Sequence, residues 1–406
     1  MNSSPQQLSF VEFVIIMALM MSLVALSVDA MLPALPAIGA DLGVVDKNNN
    51  QLIITLLFLG LGFGQLIYGP LSDSYGRKPA IYLGFILFFI GCTLTLLSSD
   101  LAVMLVGRFF QGLGLAGPRT LSLAIVRDLY SGRAMARVMS FIMTVFILVP
   151  MAAPALGQGI MLLINWRAIF SFIFGLGFIV CIWFSIRHPE TLAIESRVPF
   201  SITRIMSAVK DVCRHRASLG YTLAAGFVFS PFLGYLSSAQ PILQIQYGLG
   251  NLFPLYFAFL ALAIGIAAFI NGRLVMRYGM RRLSQIALTI LVLVALPILV
   301  LAYNTEGHPP LIWFMVYLIS TLFCTGMLFG NLNALAMEPL GHIAGIGAAV
   351  VGSISTFICV PFGILIGRAY NGTVLPLILG FALFGILTLG VMFWVERTQS
   401  AGDPAD

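Results

Sequence analysis

Gly69-Pro-Leu-Ser-Asp73-Ser-Tyr-Gly76-Arg77-Lys78-Pro79 is answered, 203 positions later, by Gly272-Arg-Leu-Val-Met276-Arg-Tyr-Gly279-Met-Arg281-Arg282. Two glycines seven residues apart, each followed by basic residues, recur at an offset of half the 406-residue chain. A repeat on that scale predicts a chain built from two related halves. The flanking sequence is apolar on both sides of both copies. Each copy therefore reads as a short polar turn between two membrane spans, and paired halves of this kind are the build of a secondary transporter with a central cavity.

Composition supports the bilayer as solvent. Sixty per cent of residues are hydrophobic, 9% are charged, and mean hydropathy is +1.02. A soluble globule carries about 25% charged residues. Apolar stretches of spanning length fall at about 9–33, 51–71, 80–98, 101–125, 136–162, 167–187, 218–242, 252–274, 283–303, 311–336, 345–367 and 375–395. The expected fold is an all-α membrane protein of twelve transmembrane helices in two pseudo-symmetric six-helix halves, 1–187 and 218–406, joined by a linker at 188–217. Pro118, Pro150 and Pro154, with Arg119, interrupt the fourth and fifth spans. The first span lacks a basic n-region and is too long for a cleaved signal.

Lys and Arg set the orientation. With the N-terminus inside, basic residues crowd the inner connections, whereas only Lys47, Arg167 and Arg368 lie in outer ones. The positive-inside rule then puts both termini in the cytoplasm and the chain in the inner (plasma) membrane. The net charge of +6 is spread over short loops and gives no nucleic-acid face. Within the linker, 199–216 reads either as an amphipathic helix beneath anionic lipid or as an ordinary basic connection.

Of the fifteen acidic residues, only Asp29 lies deep in a span. A carboxylate there costs about 2.5–3.5 kcal/mol on insertion scales, so proton binding is its expected use. Arg108 enters from the fourth span at a similar depth and cannot lose its own proton. It is expected to bias Asp29, or else the two form a static pair. Arg119 shares Arg108's helix face, and either attracts anionic substrate groups or snorkels to headgroups. Glu12 is a second, interfacial proton candidate. Arg127-Asp128 reads as a local loop contact. Apolar and aromatic spans with sparse polar groups suit amphipathic ligands. Gln111, Arg119, Tyr235, Gln240, Tyr256 and Asn331 are the candidate substrate contacts, although for any one apolar or aromatic wall residue core packing is the stronger reading.

The first motif resembles the G-x-L-a-D-r-x-G-r-k signature of the major facilitator superfamily, carried here by Gly69, Asp73, Gly76, Arg77 and Lys78. Arg108-Phe-Phe-Gln111-Gly112 resembles its fourth-helix motif. Asp29-Ala-Met-Leu-Pro33-Ala-Leu-Pro36 resembles the end of helix 1 in drug:proton antiporters. Trp166-Arg167, Pro189-Glu190-Thr191-Leu192 and Pro339-Leu-Gly-His342 fit as well. Together they resemble the bicyclomycin-resistance (Bcr/CflA) branch of twelve-helix antiporters. The resemblance implies that Asp73 caps a neighbouring helix end and, with Arg77, forms a charge lock broken during the inward-to-outward switch. Topogenesis alone is the other reading of those basic residues. Helix 5 of the family carries a Gly-Pro hinge, and here Pro150, Pro154 and Gly157 remain without the Gly-Pro pair. Met276 stands opposite Asp73 in the repeat, so the second copy is degenerate.

No P-loop, paired carboxylates or Ser-His-Asp arrangement is present, so neither ATP use nor catalysis is indicated. The five cysteines show no disulfide or metal spacing. The expected activity is cofactor-free, proton-motive-force-driven efflux of small amphipathic compounds by a monomer whose partners are substrate, protons and lipid. Export of one native metabolite such as a siderophore, or proton-coupled uptake, are the alternatives.

Overall fold

A computed structural model describes residues 9–399. Twelve helices of 20 residues or more run through them: α1 (Phe10–Asp29), α3 (Leu52–Tyr75), α4 (Arg77–Leu96), α5 (Leu101–Leu129), α6 (Gly132–Leu163), α7 (Trp166–Arg187), α9 (Arg216–Ala239), α10 (Phe253–Tyr278), α11 (Met280–Asn304), α12 (Leu311–Met337), α13 (Ala344–Arg368) and α14 (Leu375–Gln399). Two shorter ones are α2 (Leu35–Asp41) and α8 (Ile202–Arg214). A single 58-residue apolar stretch, Leu311–Arg368, holds both α12 and α13, parted by the 3-10 segment Glu338–Ile343. The chain is all-helical and of transmembrane type, with no strand among the described residues.

Each helix exists because lipid offers its backbone no alternative partner. The prolines follow the same logic. Pro118 lies inside α5, and Pro150 and Pro154 inside α6, without ending either helix. In water each would cost about 3 kcal/mol or more. Here each frees only the carbonyl four residues earlier, and the bilayer leaves the chain no better course than to continue the helix. The fourth and fifth spans are accordingly longer than their hydropathy suggests. The first is shorter as a helix. α1 stops at Asp29, and a 3-10 turn at Leu32–Ala34 with Pro33 at its start leads into α2.

The residues group into two compact units, Met1–Lys47 with Leu56–Ile202, and Asn48–Thr55 with Thr203–Asp406. Residues 48–55 join the second unit through Asn48, which donates to the carbonyls of Arg368 and Tyr370, and through Arg368, which donates to Asn49. The repeat seen in the sequence has a backbone counterpart. Gly76 and Gly279 occupy the same place before α4 and α11, and both have positive φ, +105° and +77°. An L side chain resists that region, which explains a glycine at both positions.

In the linker, α8 forms with Ile205, Ala208 and Val212 buried along one stripe. Ile202, Met206, Lys210 and Arg214 stay exposed.

Candidate functional site

In the first unit the site is built around the end of α1. Asp29 is the last residue of the helix and is 5% exposed. Its carboxyl makes no hydrogen bond or ion pair among the described residues. It can therefore take up or release a proton without breaking a contact. Gly157 of α6 lies against the next residue: a Cβ there would stand 1.6 Å from the Ala30 carbonyl oxygen. The two backbones thus meet directly beside Asp29. A cavity of about 190 Å³ begins about one turn before Asp29 and is not lined by it; Ser22, Leu23 and Leu26 of α1, Ala153 and Leu156 of α6, and Phe172 of α7 are among its walls. The Ser22 and Ser27 hydroxyls are buried and make no hydrogen bond.

Arg108 is fully buried in α5. Its guanidinium donates to the Ser27 carbonyl at 2.9 Å and to Gln111 Oε1 at 2.6 Å. It also lies 5.7 Å from the Phe170 ring centroid. Gln111 passes the chain on, its Nε2 donating to Thr95 Oγ1 and reaching Cys92 Sγ, both at 3.2 Å. Among the described residues no ion pair joins Arg108 to Asp29, so the static pair, the alternative reading, is not formed. Arg108 holds the backbone two residues before Asp29. A bare carbonyl near the helix end is an acceptor that sequence does not advertise. Gln111, with both ends of its amide engaged, is a structural member of this network.

The motif after α3 forms a second cluster. Arg77 is 8% exposed. It donates to Asp73 Oδ1 at 2.7 Å, to Ser72 Oγ at 2.7 Å, and to both oxygens of Asp128 at 2.9 and 3.3 Å. Asp128, read as a local loop contact, is instead the bidentate partner of Arg77, and Thr191 also donates to it. Asp73 does not cap a helix; Glu190 does. The Glu190 carboxylate accepts from the Arg77 and Lys78 amides at the start of α4, and from the Thr191 and Leu192 amides of its own loop, at 2.9–3.0 Å. Asp73 stands four residues from Arg77, within reach of its guanidinium, whereas the loop after α7 carries Glu190 over the α4 amides. Burial pushes the Glu190 carboxyl up, but these four N–H donors outweigh it and hold it below the usual carboxylate range. Gly76 makes room: a Cβ there would meet Glu190 Oε2 at 2.7 Å. Lys78 Nζ donates to the Ser185 and His188 carbonyls at the end of α7, where a cation is favoured. Glu12 pairs with Arg187 at 2.7 Å and accepts from Trp183.

In the second unit, Asn331 forms a reciprocal amide pair with Asn271 at 2.8 and 3.0 Å. Gln240 opens a π-helical turn and donates to Gln244. Tyr235 is buried and stacks on Phe257, centroids 6.0 Å apart. Those three side chains are engaged within the unit. Tyr256 is partly exposed. Phe229, Phe232 and Phe329 form a partly exposed cluster with centroids 4.9–5.5 Å apart. Among the described residues no group of His, Cys, Asp or Glu could hold a metal ion.

Twelve long apolar helices on an internal repeat, with an ionisable carboxyl held inside the first, define a polytopic membrane transporter. The chain belongs to the Major Facilitator Superfamily, whose sequence profile matches residues 17–363. It is 32% identical over 333 residues to an uncharacterized MFS-type transporter, YdgK, of Bacillus subtilis, covering 81% of this chain and 82% of that one. It is 29% identical over 398 residues to a bicyclomycin resistance protein homolog of Haemophilus influenzae, covering 97% and 98%. The xylose transporter XylE of E. coli, in a partially occluded inward-open conformation, shares the fold with a TM-score of 0.74 at 13% identity, covering 95% of this chain and 97% of that one.

Proposed function

We propose that this chain exports small amphipathic compounds across the inner membrane in exchange for protons, with both termini in the cytoplasm. The observation that carries the reading is Asp29, buried at a helix end with no hydrogen bond or ion pair to its carboxyl among the described residues. The similarity to a bicyclomycin resistance protein homolog supports drug-type substrates. Asp29 takes a proton from outside and releases it inside. Substrate displaces that proton, so the two are held alternately. Arg108 fixes the backbone at Ser27 and sets where the carboxyl stands. Asp73, Arg77 and Asp128 latch the cytoplasmic ends of α3, α4 and α5, with Gly76 and Lys78 shaping the turn. Pro150 and Pro154 leave two carbonyls of α6 without helical donors, which makes α6 the bending element beside Gly157. The stroke needs the proton gradient and no cofactor.

The test is proton release from inverted vesicles under an imposed pH gradient, on adding neutral, cationic and anionic compounds. Release that vanishes in Asp29→Asn is the expected result. Release undiminished by that substitution would remove Asp29 from the mechanism.

A further inference from the structure

Arg119 is the intramembrane charge that the preceding mechanism leaves unused. It stands in α5, ten residues before Leu129. Centring this 29-residue helix on a hydrocarbon layer of about 30 Å places Arg119 roughly 6 Å from the mid-plane. Among the described residues its guanidinium makes no hydrogen bond or ion pair. Asp73 and Asp128 are committed to Arg77, and Glu12 to Arg187.

Its direction on the helix excludes a simple lipid-facing role. Arg119 is eleven residues past Arg108, within about 20° of the same face, and Arg108 points at Ser27 of α1. Val106, 50% exposed, is turned about 140° away from it. Arg119 itself is only partly exposed. α1 and α5, the first and fourth spans, run in opposite directions. With Arg108 level with Ser27, Arg119 falls level with about residue 16 of α1. Ile16, Met17 and Met20 there are fully buried and carry no acceptor. Five N–H donors that cannot be given up thus sit at an apolar level of the unit. Donors unmet in such a medium are costly.

We infer that Arg119 is an anion-binding residue that receives the carboxylate of an amphipathic substrate. The planar guanidinium matches a carboxylate in two parallel hydrogen bonds, and methionines adapt to a varied apolar body. Charge balance agrees. Asp29 is the only acid deep in the spans of the unit, against Arg108 and Arg119. The interior is net positive whether or not Asp29 holds a proton. Arg108 is not the receiver, since it already donates to Ser27 and Gln111.

That the bound anion is cargo rests on the efflux reading; the binding does not. The test uses purified protein in phosphatidylcholine nanodiscs, with 2-naphthoate and its methyl ester as probes and calorimetry as the readout. The wild type is expected to bind the acid at least tenfold more tightly than the ester. Arg119→Gln should erase that preference with ester affinity unchanged, and Arg119→Lys should keep part of it. Equal binding of acid and ester by the wild type overturns the inference, as does a preference that survives in Arg119→Gln. Melting of ligand-free protein gives an independent check. Arg119→Met should melt higher than the wild type, because an unpartnered cation is gone. A lower melting temperature, or failure of both Arg119→Gln and Arg119→Met to fold, assigns Arg119 to structure and overturns the site. Asp29-dependent proton release by a neutral compound tests efflux without involving Arg119. Release without a naphthoate preference removes the anion site alone, and a preference without release removes efflux alone.

Discussion

Asp29 and Arg108 differ in what holds them, and that difference separates function from stability. Among the described residues the Asp29 carboxyl has no partner to lose. Asp29→Asn is therefore expected to leave the melting temperature unchanged or slightly raised while abolishing substrate-driven proton release. Arg108 holds Ser27 and Gln111. Arg108→Gln strips both acceptors of a donor, and unsatisfied buried groups cost about 1–3 kcal/mol each. It should lower both melting temperature and proton release. Measuring the two readouts on the same preparations checks the pair, and equal destabilisation by both substitutions would contradict it. Arg77 is held at three carboxylate oxygens. Arg77→Lys keeps the charge but not the fork, and so cannot serve Asp73 and Asp128 together.

At the scale of the element, the start of α4 depends on a residue 113 positions away. Glu190 caps it where the helix dipole favours a negative charge. A carboxyl held below its ordinary value contributes stability that is complete above the ordinary carboxylate range. That stability is lost as pH falls through the lower folded value. Melting temperature should therefore fall as pH drops below the ordinary carboxylate range, and Glu190→Gln should flatten the fall while costing about 1–2 kcal/mol at neutral pH. A melting profile as steep in the variant as in the wild type would remove Glu190 as its cause. Gly76→Ala should act on the same element, since a non-glycine residue at positive φ costs about 1–2 kcal/mol and its Cβ would displace Glu190. Between α1 and α6, Gly157→Ala drives a methyl into the Ala30 carbonyl. Overpacking of this kind costs about 1–3 kcal/mol. The separation of the helices should reduce proton release at saturating substrate as well as melting temperature.

For the whole molecule, the distribution of Lys and Arg predicts the orientation of every helix at once. Cys213, exposed on α8, reports that orientation. A membrane-impermeant maleimide is expected to label it in inverted vesicles and not in intact cells, while the buried Cys92, Cys324 and Cys359 stay unmodified. Labelling from outside would reverse the topology and with it the direction assigned to transport. The repeat also works at this scale. Gly279 reproduces the positive φ of Gly76, but Met276 replaces the acid, and the ion pair beside the second copy is an exposed one, Arg281–Glu338 at 3.2 Å. Among the described residues the charge cluster on Arg77 has no equal in the second half, so a latch is expected at one end of one unit only.

Amino-acid order alone determined the twelve helices, the two-copy plan, the one carboxyl deep in a span and the crowding of Lys and Arg into alternate connections. Each of these follows from local quantities: apolar length against a bilayer's thickness, a glycine where φ must be positive, a charge count along a loop. Helix ends were less legible, because Pro118, Pro150 and Pro154 look like breaks in sequence and are spanned where lipid leaves the backbone no other partner. Only the tertiary structure decided the partners. Arg108 bonds to a carbonyl 81 residues away, Glu190 to amides 112 and 113 residues away, and Asn331 to Asn271 across two helices. Backbone acceptors carry no side-chain signature, and long-range pairs depend on which faces of which helices are brought together. For the same reason Asp29 and Arg119 were visible as charges in the chain, while their lack of partners became visible only once the helices were packed.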